Sequence, residues 1–358
     1  MQTAYKRQFF NIENWARSLR RKTGGFSHRN ALDRGHQIIL WLVLALFSTA
    51  CTEGFEPFNQ VDRFRILSLK ADPPDLTEGE FTTITPLVHI EGDAPVHYKW
   101  SWCPIAASAK NGGACVVDEA MIKDLAEQLV AEQVGEDAAS LIQDFPFSFD
   151  LGEGPFASFV YAMPRQMLSD LCDRLISDGI PSFTGIPQCK TSFDVVIRLE
   201  ATSGDTTLLA TKKIPLYVDE SRAGNENPDI LDVTLKDEKG RVVTDTVRSG
   251  EWYDLKADIP KESVDMLLPL PTAENEHPKP REETLFMTWY VTGGETEYQR
   301  TTYIEDEVSM KVLRTNRWRI PHKSDVDDGR VQLYLVLQDE QGGASWLSRE
   351  FTVKEGSK

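Results

Sequence analysis

Apolar residues alternate with polar ones in short runs along this chain, and the same order of runs occurs twice. The runs "RILSLKADP", "HYKWSWC" and "FDVVIRLEATSGDTTLLATKKIPLYV" are matched by "ILDVTLKDE", "FMTWYVT" and "VQLYLVLQDEQGGASWLSREFTV". Alternation with a period of two places side chains on opposite faces of a strand. A repeat of about 130–160 residues therefore predicts two domains built from strands in the same order.

Turn-forming residues separate the runs, as in "DPPD", "TSGD" and "QGG", and "TGGE" after the Trp289 run predicts a hairpin. Trp100 lies in "HYKWSWC", the third predicted strand, because another strand begins at Phe81. It shares the parity of Tyr98 and Trp102, and Trp289 lies in the matching run of the second copy. Short strands with a buried Trp on the third one are typical of immunoglobulin-like sandwiches. The apolar parity switches at Ile66-Leu67, which predicts a β-bulge or a strand covered on both faces.

Helical periodicity interrupts the first copy. Residues 118–134 place apolar side chains at helical spacing behind a capping Asp118, and residues 164–179 begin with Pro164 and end with Gly179. We therefore predict an α-helical insertion at about 114–188. The expected fold is mainly β, with two immunoglobulin-like β-sandwich domains, the first carrying this insertion.

The last strand, acidic-Gly turn and closing strand of the second copy resemble the end of PKD and related immunoglobulin-like modules over about 25 residues. More broadly, the chain resembles bacterial envelope lipoproteins that carry such modules. This resemblance implies an adhesion or scaffold role at the periplasmic or surface face, and no reaction. It also implies an unidentified envelope protein or glycan as the partner.

The N-terminal segment has a basic start, an apolar run from Ile38 to Phe47 and small residues before Cys51. Ten apolar residues are too few to span a bilayer, which needs about 20, so the segment predicts a signal peptide. Its length and the lack of a second Met before Cys51 lead us to expect a translation start downstream of Met1, near residues 30–35.

The end of this segment, "STAC", resembles the lipobox of bacterial lipoproteins. The resemblance implies cleavage before Cys51, acylation of that cysteine and attachment to the lipid bilayer. Ser48 stands where the family has Leu, so ordinary cleavage that leaves a free or bridging Cys51 thiol stays open. The family's sorting rule favours the outer membrane, because Thr52 and not Asp follows the cysteine.

Together these features predict five segments. They are a signal peptide (1–50), a lipidated tether (51–61), a first domain (62–220), a linker (221–229) and a second domain (230–358). Without Cys51 the chain has four cysteines, Cys103, Cys115, Cys172 and Cys189, enough for two disulfides in an oxidising compartment. Sequence proximity favours Cys103–Cys115 and Cys172–Cys189, and a zinc site from the same four is the alternative.

The charge of the chain is −17, and it is unevenly distributed. Eight basic and two acidic residues precede Cys51, so the rest of the chain carries −23. A body this acidic repels phosphate backbones, so we expect no nucleic-acid partner.

The sequence contains no motif for nucleophilic catalysis, metalloprotease chemistry or phosphate binding, so we assign no catalytic residue and no cofactor. Asp325, Asp327 and Asp328 have the oxygen density of a calcium loop but not the EF-hand spacing, so an acidic turn is the alternative. Two further functions stay open: a carbohydrate- or peptidoglycan-binding module, and an envelope hydrolase with its site in the insertion. The candidate residues for carbohydrate binding are exposed aromatics that could stack on sugars: Tyr98, Trp252, Tyr253 and Trp346.

Overall fold

Strand pairing within each half of the chain defines the architecture. This is a computed structural model that describes residues 57–356 except 93, 105, 107–113, 134, 136–147, 171–190, 220–223 and 270–277. The predicted signal peptide, Cys51, Cys172 and Cys189 lie outside the described residues. Within those residues no helix is both long enough and apolar enough to cross a bilayer.

The described residues between 65 and 217 form seven strands in two sheets. They are β1 (Arg65–Asp72), β2 (Phe81–His89), β3 (His97–Cys103), β4 (Asp150–Glu153), β5 (Ala157–Val160), β6 (Ser192–Ser203) and β7 (Thr206–Tyr217). One sheet has the order β1-β2-β5 and the other the order β4-β3-β6-β7. Their buried faces share one apolar core around Trp100, which is fully buried on the third strand as the sequence predicts.

The described residues between 232 and 354 form twelve strands. They are β8 (Asp232–Lys236), β9 (Val242–Val243), β10 (Thr246–Arg248), β11 (Trp252–Asp258), β12 (Met266–Leu267), β13 (Arg281–Glu282), β14 (Leu285–Val291), β15 (Glu295–Thr296), β16 (Arg300–Tyr303), β17 (Thr315–Arg319), β18 (Arg330–Asp339) and β19 (Ala344–Lys354). Two five-stranded sheets, β10-β19-β18-β14-β16 and β15-β17-β11-β8-β9, enclose a second core, while β12 and β13 pair separately. Trp289 and Trp318 are fully buried in that core. The expected mainly-β sandwich fold is confirmed.

Helices are few in the described residues. Helix α1 spans Glu119–Gln133, and the Asp118 carboxylate accepts a hydrogen bond from the Met121 N–H at 2.8 Å, so the capped first helix is confirmed. Residues 165–170 are helical behind Pro164, and the rest of the second predicted helix lies outside the described residues. Helix α2 is Met310–Arg314, and single 3₁₀ turns occur at Lys261–Ser263, Lys323–Asp325 and Asp327–Gly329.

The β-bulge predicted in the first strand is present. Ile66 pairs with Val88 and Ser68 pairs with Leu87, which leaves Leu67 as the extra residue. Leu67 is buried in a third cluster with Val61 and Tyr334, away from the first core. The parity switch in the sequence thus reflects a strand that supplies apolar side chains to two different clusters.

Two local predictions differ from the structure. The predicted insertion is not helical throughout, because β4 and β5 lie within it and pair with β3 and β2. The "TGGE" stretch, read as a hairpin, instead carries the chain from one sheet to the other, since β15 pairs with β17 and not with β14. A Cβ on Gly294 would lie 2.0 Å from the Arg319 carbonyl oxygen, so this close crossing requires glycine.

The described end of the expected tether is part of the fold. The Val61 N–H donates to the Val291 carbonyl at 2.9 Å, and the Val291 N–H donates to the Asn59 carbonyl at 3.0 Å. The Asn59 side chain is buried and donates to the Trp289 carbonyl at 2.8 Å. The segment before the first sandwich therefore docks on β14 of the second one, within the single compact unit Pro57–Lys358.

Candidate functional site

The outer face of the sheet β15-β17-β11-β8-β9 carries the most distinctive polar surface of the described structure. Along β11 the side chains of Tyr253 and Leu255 point into the second core, whereas Asp254 and Lys256 are exposed. This alternation follows from the period of two in a strand with one buried face. The exposed residues of three neighbouring strands therefore form one continuous surface.

Cross-strand pairing sets the order of charges on this face. Asp254 lies opposite Arg317 on one side and Lys236 on the other, and the Arg317 Nε is 3.2 Å from the Asp254 carboxylate. Lys256 lies between Thr315 and Thr234. The Asp254 carboxylate is thus already engaged by Arg317. The residues directly opposite Lys256 are threonines, while Asp254 and Asp258 flank it along β11 on the same face.

A groove of about 420 Å³ runs along this face. Its lining contains four cationic side chains, those of Lys236, Lys256, Lys311 and Arg317. It also contains two carboxylates, those of Asp254 and Glu297, so the groove has a net charge of +2. The formal charge of the groove is thus opposite in sign to the net charge of −17 of the whole chain.

Tyr298 lies in the wall of the groove, and its side chain is 55% exposed. Its backbone is held on both sides by the buried Asn316 side chain. The Tyr298 N–H donates to Asn316 Oδ1 at 3.1 Å, and Asn316 Nδ2 donates to the Tyr298 carbonyl at 2.7 Å. An exposed aromatic ring is therefore carried on a backbone that the core fixes in place.

The four aromatics predicted as a sugar-stacking platform are not brought together. Tyr253 is buried in the second core, so its assignment as an exposed aromatic is wrong. Tyr98 packs partly against the first core, and Trp346 lies on β19, in the other sheet of the second sandwich. Only Trp252 lies on the groove-bearing face, where the Arg317 guanidinium stacks over its ring at 5.1 Å.

Sequence reasoning missed Tyr298, Lys256 and Lys311 as site residues. Lys256 carried a usable signal, because it alternates with buried residues in a predicted strand. Lys311 precedes β17 in the short helix α2, and Tyr298 follows β15 by two residues. Their proximity depends on the pairing of β15 with β17, which the sequence did not indicate.

The joint between the two sandwiches is a second polar cluster, and it is buried. Asp75 accepts a hydrogen bond from the Asn225 N–H at 3.1 Å, and the Asn225 side chain donates to Asp339 at 3.3 Å. Asn227 donates to the Ala71 carbonyl at 2.8 Å and accepts from the Ala344 N–H at 2.9 Å. Two residues of the expected linker thus each bridge the two sandwiches, Asn225 through its backbone N–H and its side chain, and Asn227 through its side-chain amide alone.

Carboxyl groups in this joint have unusual pKa values. Burial raises the pKa of Asp75 and of Asp339, although backbone N–H donors oppose the shift in both. Burial also raises the pKa of Glu283 to about 8, and the nearby carboxylates of Asp339 and Asp265 add to that effect. The joint therefore holds Glu283 as a neutral acid at pH 7.

The described part of the insertion lines a cavity of about 460 Å³ that opens into the first core. Its walls include Trp102, Phe159, Met163, Met167 and Leu168, and they are mostly apolar. An envelope hydrolase with its site here would need convergent polar groups, and the described walls favour apolar packing instead. Residues 136–147 and 171–190 of the insertion lie outside the described residues.

The structure joins Cys103 and Cys115 by a disulfide with a Cα–Cα distance of 5.5 Å, which is one of the two pairings favoured by proximity. Asp325 and Asp328 are exposed, and the Asp327 side chain is outside the described set. No three Cys, His, Asp or Glu side chains in the described parts of the chain form a group that could hold a metal ion. The calcium hypothesis thus has support from the sequence alone.

No protein-family model and no curated protein matches the chain. Among solved structures, the three N-terminal domains of the outer capsid protein Hoc of bacteriophage RB49 align over 82% of this chain and 71% of their own, at 10% identity and a TM-score of 0.20. The Ig1-2 module of the Drosophila receptor tyrosine phosphatase DLAR aligns over 82% and 100%, at 10% identity and 0.21. Cadherin domains 3–6 of protocadherin gamma B2 align over 82% and 52%, at 11% identity and 0.20. Such scores carry no argument about function.

Proposed function

We propose that this chain is a lipid-anchored, non-catalytic binding module of the bacterial cell envelope. The observation that carries the binding role is the groove on the outer face of the second sandwich. It gathers four cationic side chains on an otherwise acidic protein and places an exposed Tyr298 beside them. Polar groups of this kind fix and orient a ligand, and the groove volume falls in the usual range of about 300–1,000 Å³ for ligand sites.

The anchor is inferred from the sequence. The "STAC" stretch provides Cys51 as the acylation site, and palmitate and related acyl chains contribute about 0.8 kcal/mol per buried CH₂, so two or three chains give stable attachment. Thr52 favours sorting to the outer membrane. The anchor lies eight residues before Asn59, which is bound to the second sandwich.

The buried joint supports a scaffold role for the two sandwiches. Hydrogen bonds from Asn225 and Asn227 reach both of them, and the apolar cluster of Val61, Leu67 and Tyr334 adds side chains from each. A module joined in this way presents its groove in a constant orientation relative to the docked segment 59–61. A constant orientation of the groove is what a binding or adhesion arm needs, and domains joined by a flexible linker would not provide it.

Fractionation of cells that express the full chain tests the anchor. We expect the natural chain to incorporate labelled palmitate and to sediment with outer membranes. Cys51→Ala should abolish the labelling, block processing of the leader and release the protein from membranes. Thr52→Asp is the matched control for sorting, because it should keep the lipid but retain the protein in the inner membrane.

Unchanged membrane association and processing of Cys51→Ala would overturn the lipid anchor. For the binding role, intact envelope fragments should retain the natural protein extracted in detergent. They should retain less of a variant in which Lys256 and Lys311 are both Gln. Equal retention of the two proteins would remove the groove as the binding surface and leave the anchor unaffected.

A further inference from the structure

Three lysines of the groove have no ion pair in the described part of the structure. These are Lys236, Lys256 and Lys311, whereas Arg317 is paired with Asp254. All three lysines are exposed, so their ammonium groups are accessible to a ligand from solvent. The groove has four cationic side chains and only two carboxylates, those of Asp254 and Glu297, so an anion bound among the lysines relieves their mutual repulsion.

The positions of these lysines favour a ligand that is extended. Lys236 and Lys256 lie on the neighbouring strands β8 and β11 but on different cross-strand rows, since Lys236 is opposite Asp254 and Lys256 is opposite Thr234. Lys311 approaches from helix α2, beside Thr315, whose hydroxyl donates to the Lys311 carbonyl at 2.9 Å. Lysines on different rows of the groove can contact successive anionic groups of one chain.

Tyr298 adds a second kind of contact. Its ring is 55% exposed beside the cations, on a backbone held by Asn316. The apolar C–H face of a sugar ring packs against an aromatic ring, and the tyrosine hydroxyl adds a polar edge. Threonine hydroxyls of the groove floor, Thr234 and Thr315, offer further hydrogen bonds to sugar hydroxyls.

We propose that this groove binds a carboxylate-bearing polysaccharide, with Lys236, Lys256 and Lys311 on its carboxylates and Tyr298 stacked on a sugar ring. This inference rests on the proposed binding role and names the ligand class of the same site. In a polymer of uronic acids each carboxylate is carried by a sugar ring, so ionic and stacking contacts occur together as they do in the groove. A nucleic acid carries about one negative charge per 1.7 Å of duplex, and a body of −17 with a local charge of only +2 repels it.

An acidic peptide is the other extended polyanion to consider. Its carboxylates would use the same lysines, but it has no sugar face for Tyr298 to stack on and would not depend on that ring. The effect of Tyr298 substitution therefore separates the two classes of ligand. For this reason the test pairs a change in charge with a change in the aromatic ring.

The test uses the full chain extracted in detergent and measures binding to immobilised alginate, a polymer of uronic acids. Neutral dextran, polyglutamate and single-stranded DNA serve as comparisons. We expect alginate binding that weakens as salt rises from about 50 to about 300 mM, because the Debye length shortens. Replacing Lys256 and Lys311 by Gln should weaken binding about tenfold, as expected for the loss of two exposed ion contacts.

Matched variants complete the experiment. Lys239→Gln removes an exposed lysine of the same sandwich outside the groove and should bind alginate as the natural protein does. Tyr298→Ala should weaken binding about tenfold, while Tyr298→Phe, which keeps the ring and removes only the hydroxyl, should weaken it less than Tyr298→Ala does. Thermal unfolding of each variant shows whether a loss of binding reflects a loss of folding.

Three outcomes would overturn the inference. They are the absence of alginate binding by folded protein, an equal loss in Lys239→Gln, and full binding by Tyr298→Ala together with equal binding to polyglutamate. The last result would identify the groove as a site for acidic peptides. None of them affects palmitate labelling or retention by envelope fragments, so failure here is distinguishable from failure of the proposed function.

Discussion

The imidazole Nδ1 of His89 lies 2.9 Å from the hydroxyl of Tyr334. His89 ends strand β2 of the first sandwich and Tyr334 is on β18 of the second, and both residues are buried. The Tyr334 hydroxyl also donates to Gln332 Oε1. A hydroxyl has one proton, and the Tyr334 hydroxyl donates its proton to Gln332 Oε1. His89 Nδ1 therefore carries a proton of its own and donates it to the Tyr334 oxygen.

This contact predicts coupling between the two sandwiches. Tyr334→Phe removes the acceptor for His89 and should lower the free energy of unfolding by about 0.5–1.5 kcal/mol, measured by urea denaturation. His89→Ala should cost more, because it also leaves a cavity. In a double-mutant cycle the two changes should be non-additive. Strictly additive changes would show that the hydrogen bond contributes nothing to the joint.

Glu283 predicts how stability depends on pH. Burial raises its pKa from 4.5 to about 8 in the folded chain, while the unfolded chain keeps the ordinary value. The contribution of protonated Glu283 to the free energy of unfolding is therefore fully present below pH 4.5. It is lost as pH rises through about 8, since the unfolded state releases its proton first. Thermal melts should show Glu283→Gln to be more stable than the natural chain at pH 8, by on the order of a few kcal/mol, and nearly equal at pH 4.

The control for this experiment is Glu355→Gln, which neutralises an exposed carboxylate near the C-terminus and should leave the difference between pH 4 and pH 8 unchanged. A Glu283→Gln protein that loses stability between pH 4 and pH 8 as steeply as the natural chain would show that other groups cause the effect. Asp75 and Asp339 are the first of these to test, because burial raises the pKa of both.

Alanine at Gly343 and alanine at Ser345 should have opposite effects on the free energy of unfolding. An ideal Cβ on Gly343 would lie 2.0 Å from Asp339 Oδ2, and the Gly343 N–H donates to Asp339 at 2.7 Å. Gly343→Ala should therefore displace Asp339 and destabilise the joint by about 1–3 kcal/mol. The Ser345 hydroxyl is buried without a hydrogen-bond partner in the described structure, so Ser345→Ala should be neutral or stabilising in the same denaturation assay. A stable Gly343→Ala protein would contradict the tight packing at this turn.

The Cys103–Cys115 disulfide predicts a redox-dependent stability. It joins the end of β3 to a residue twelve positions later, and closing a loop of this size contributes about 2–4 kcal/mol. A variant with both cysteines changed to serine should unfold at lower denaturant than the oxidised natural chain. If the natural chain has no other disulfide, reductant should lower its denaturation midpoint to that of this variant. Equal midpoints for the oxidised natural chain and the variant would show that the bond is not formed or contributes no stability.

Local patterns predicted much of the fold. The parity of Trp100 and Trp289 placed both on buried strand faces, the two-residue turn between β6 and β7 followed from "TSGD", and the bulge followed from the switch at Leu67. These features depend on neighbours in sequence, so they can be read from it. Strands β4 and β5 were missed because their four-residue lengths are too short to show a period among helical segments.

The groove itself could not be predicted. Lys236, Lys256, Tyr298 and Lys311 come from four separate segments, and nothing local distinguishes them from other exposed lysines and tyrosines. The prediction of sugar stacking identified Trp252 on the right face, but it also included Tyr253, whose ring points the other way. Parity assigns a residue to one of two faces, and only the packed structure shows which face is covered.

By itself, the sequence determined the β-rich class, the buried faces of Trp100 and Trp289 and the capped helix α1, because each depends on periodicity or on adjacent residues. The tertiary structure alone decided that the expected linker is a bonded joint. Asn225 and Asn227 read as ordinary linker residues, yet each binds both sandwiches. The Asn227 side-chain amide donates to one and accepts from the other, whereas Asn225 uses its backbone N–H for the first and its side chain for the second. Which polar groups face such an amide depends on the docking of two sandwiches, and that docking follows from contacts between residues more than a hundred positions apart.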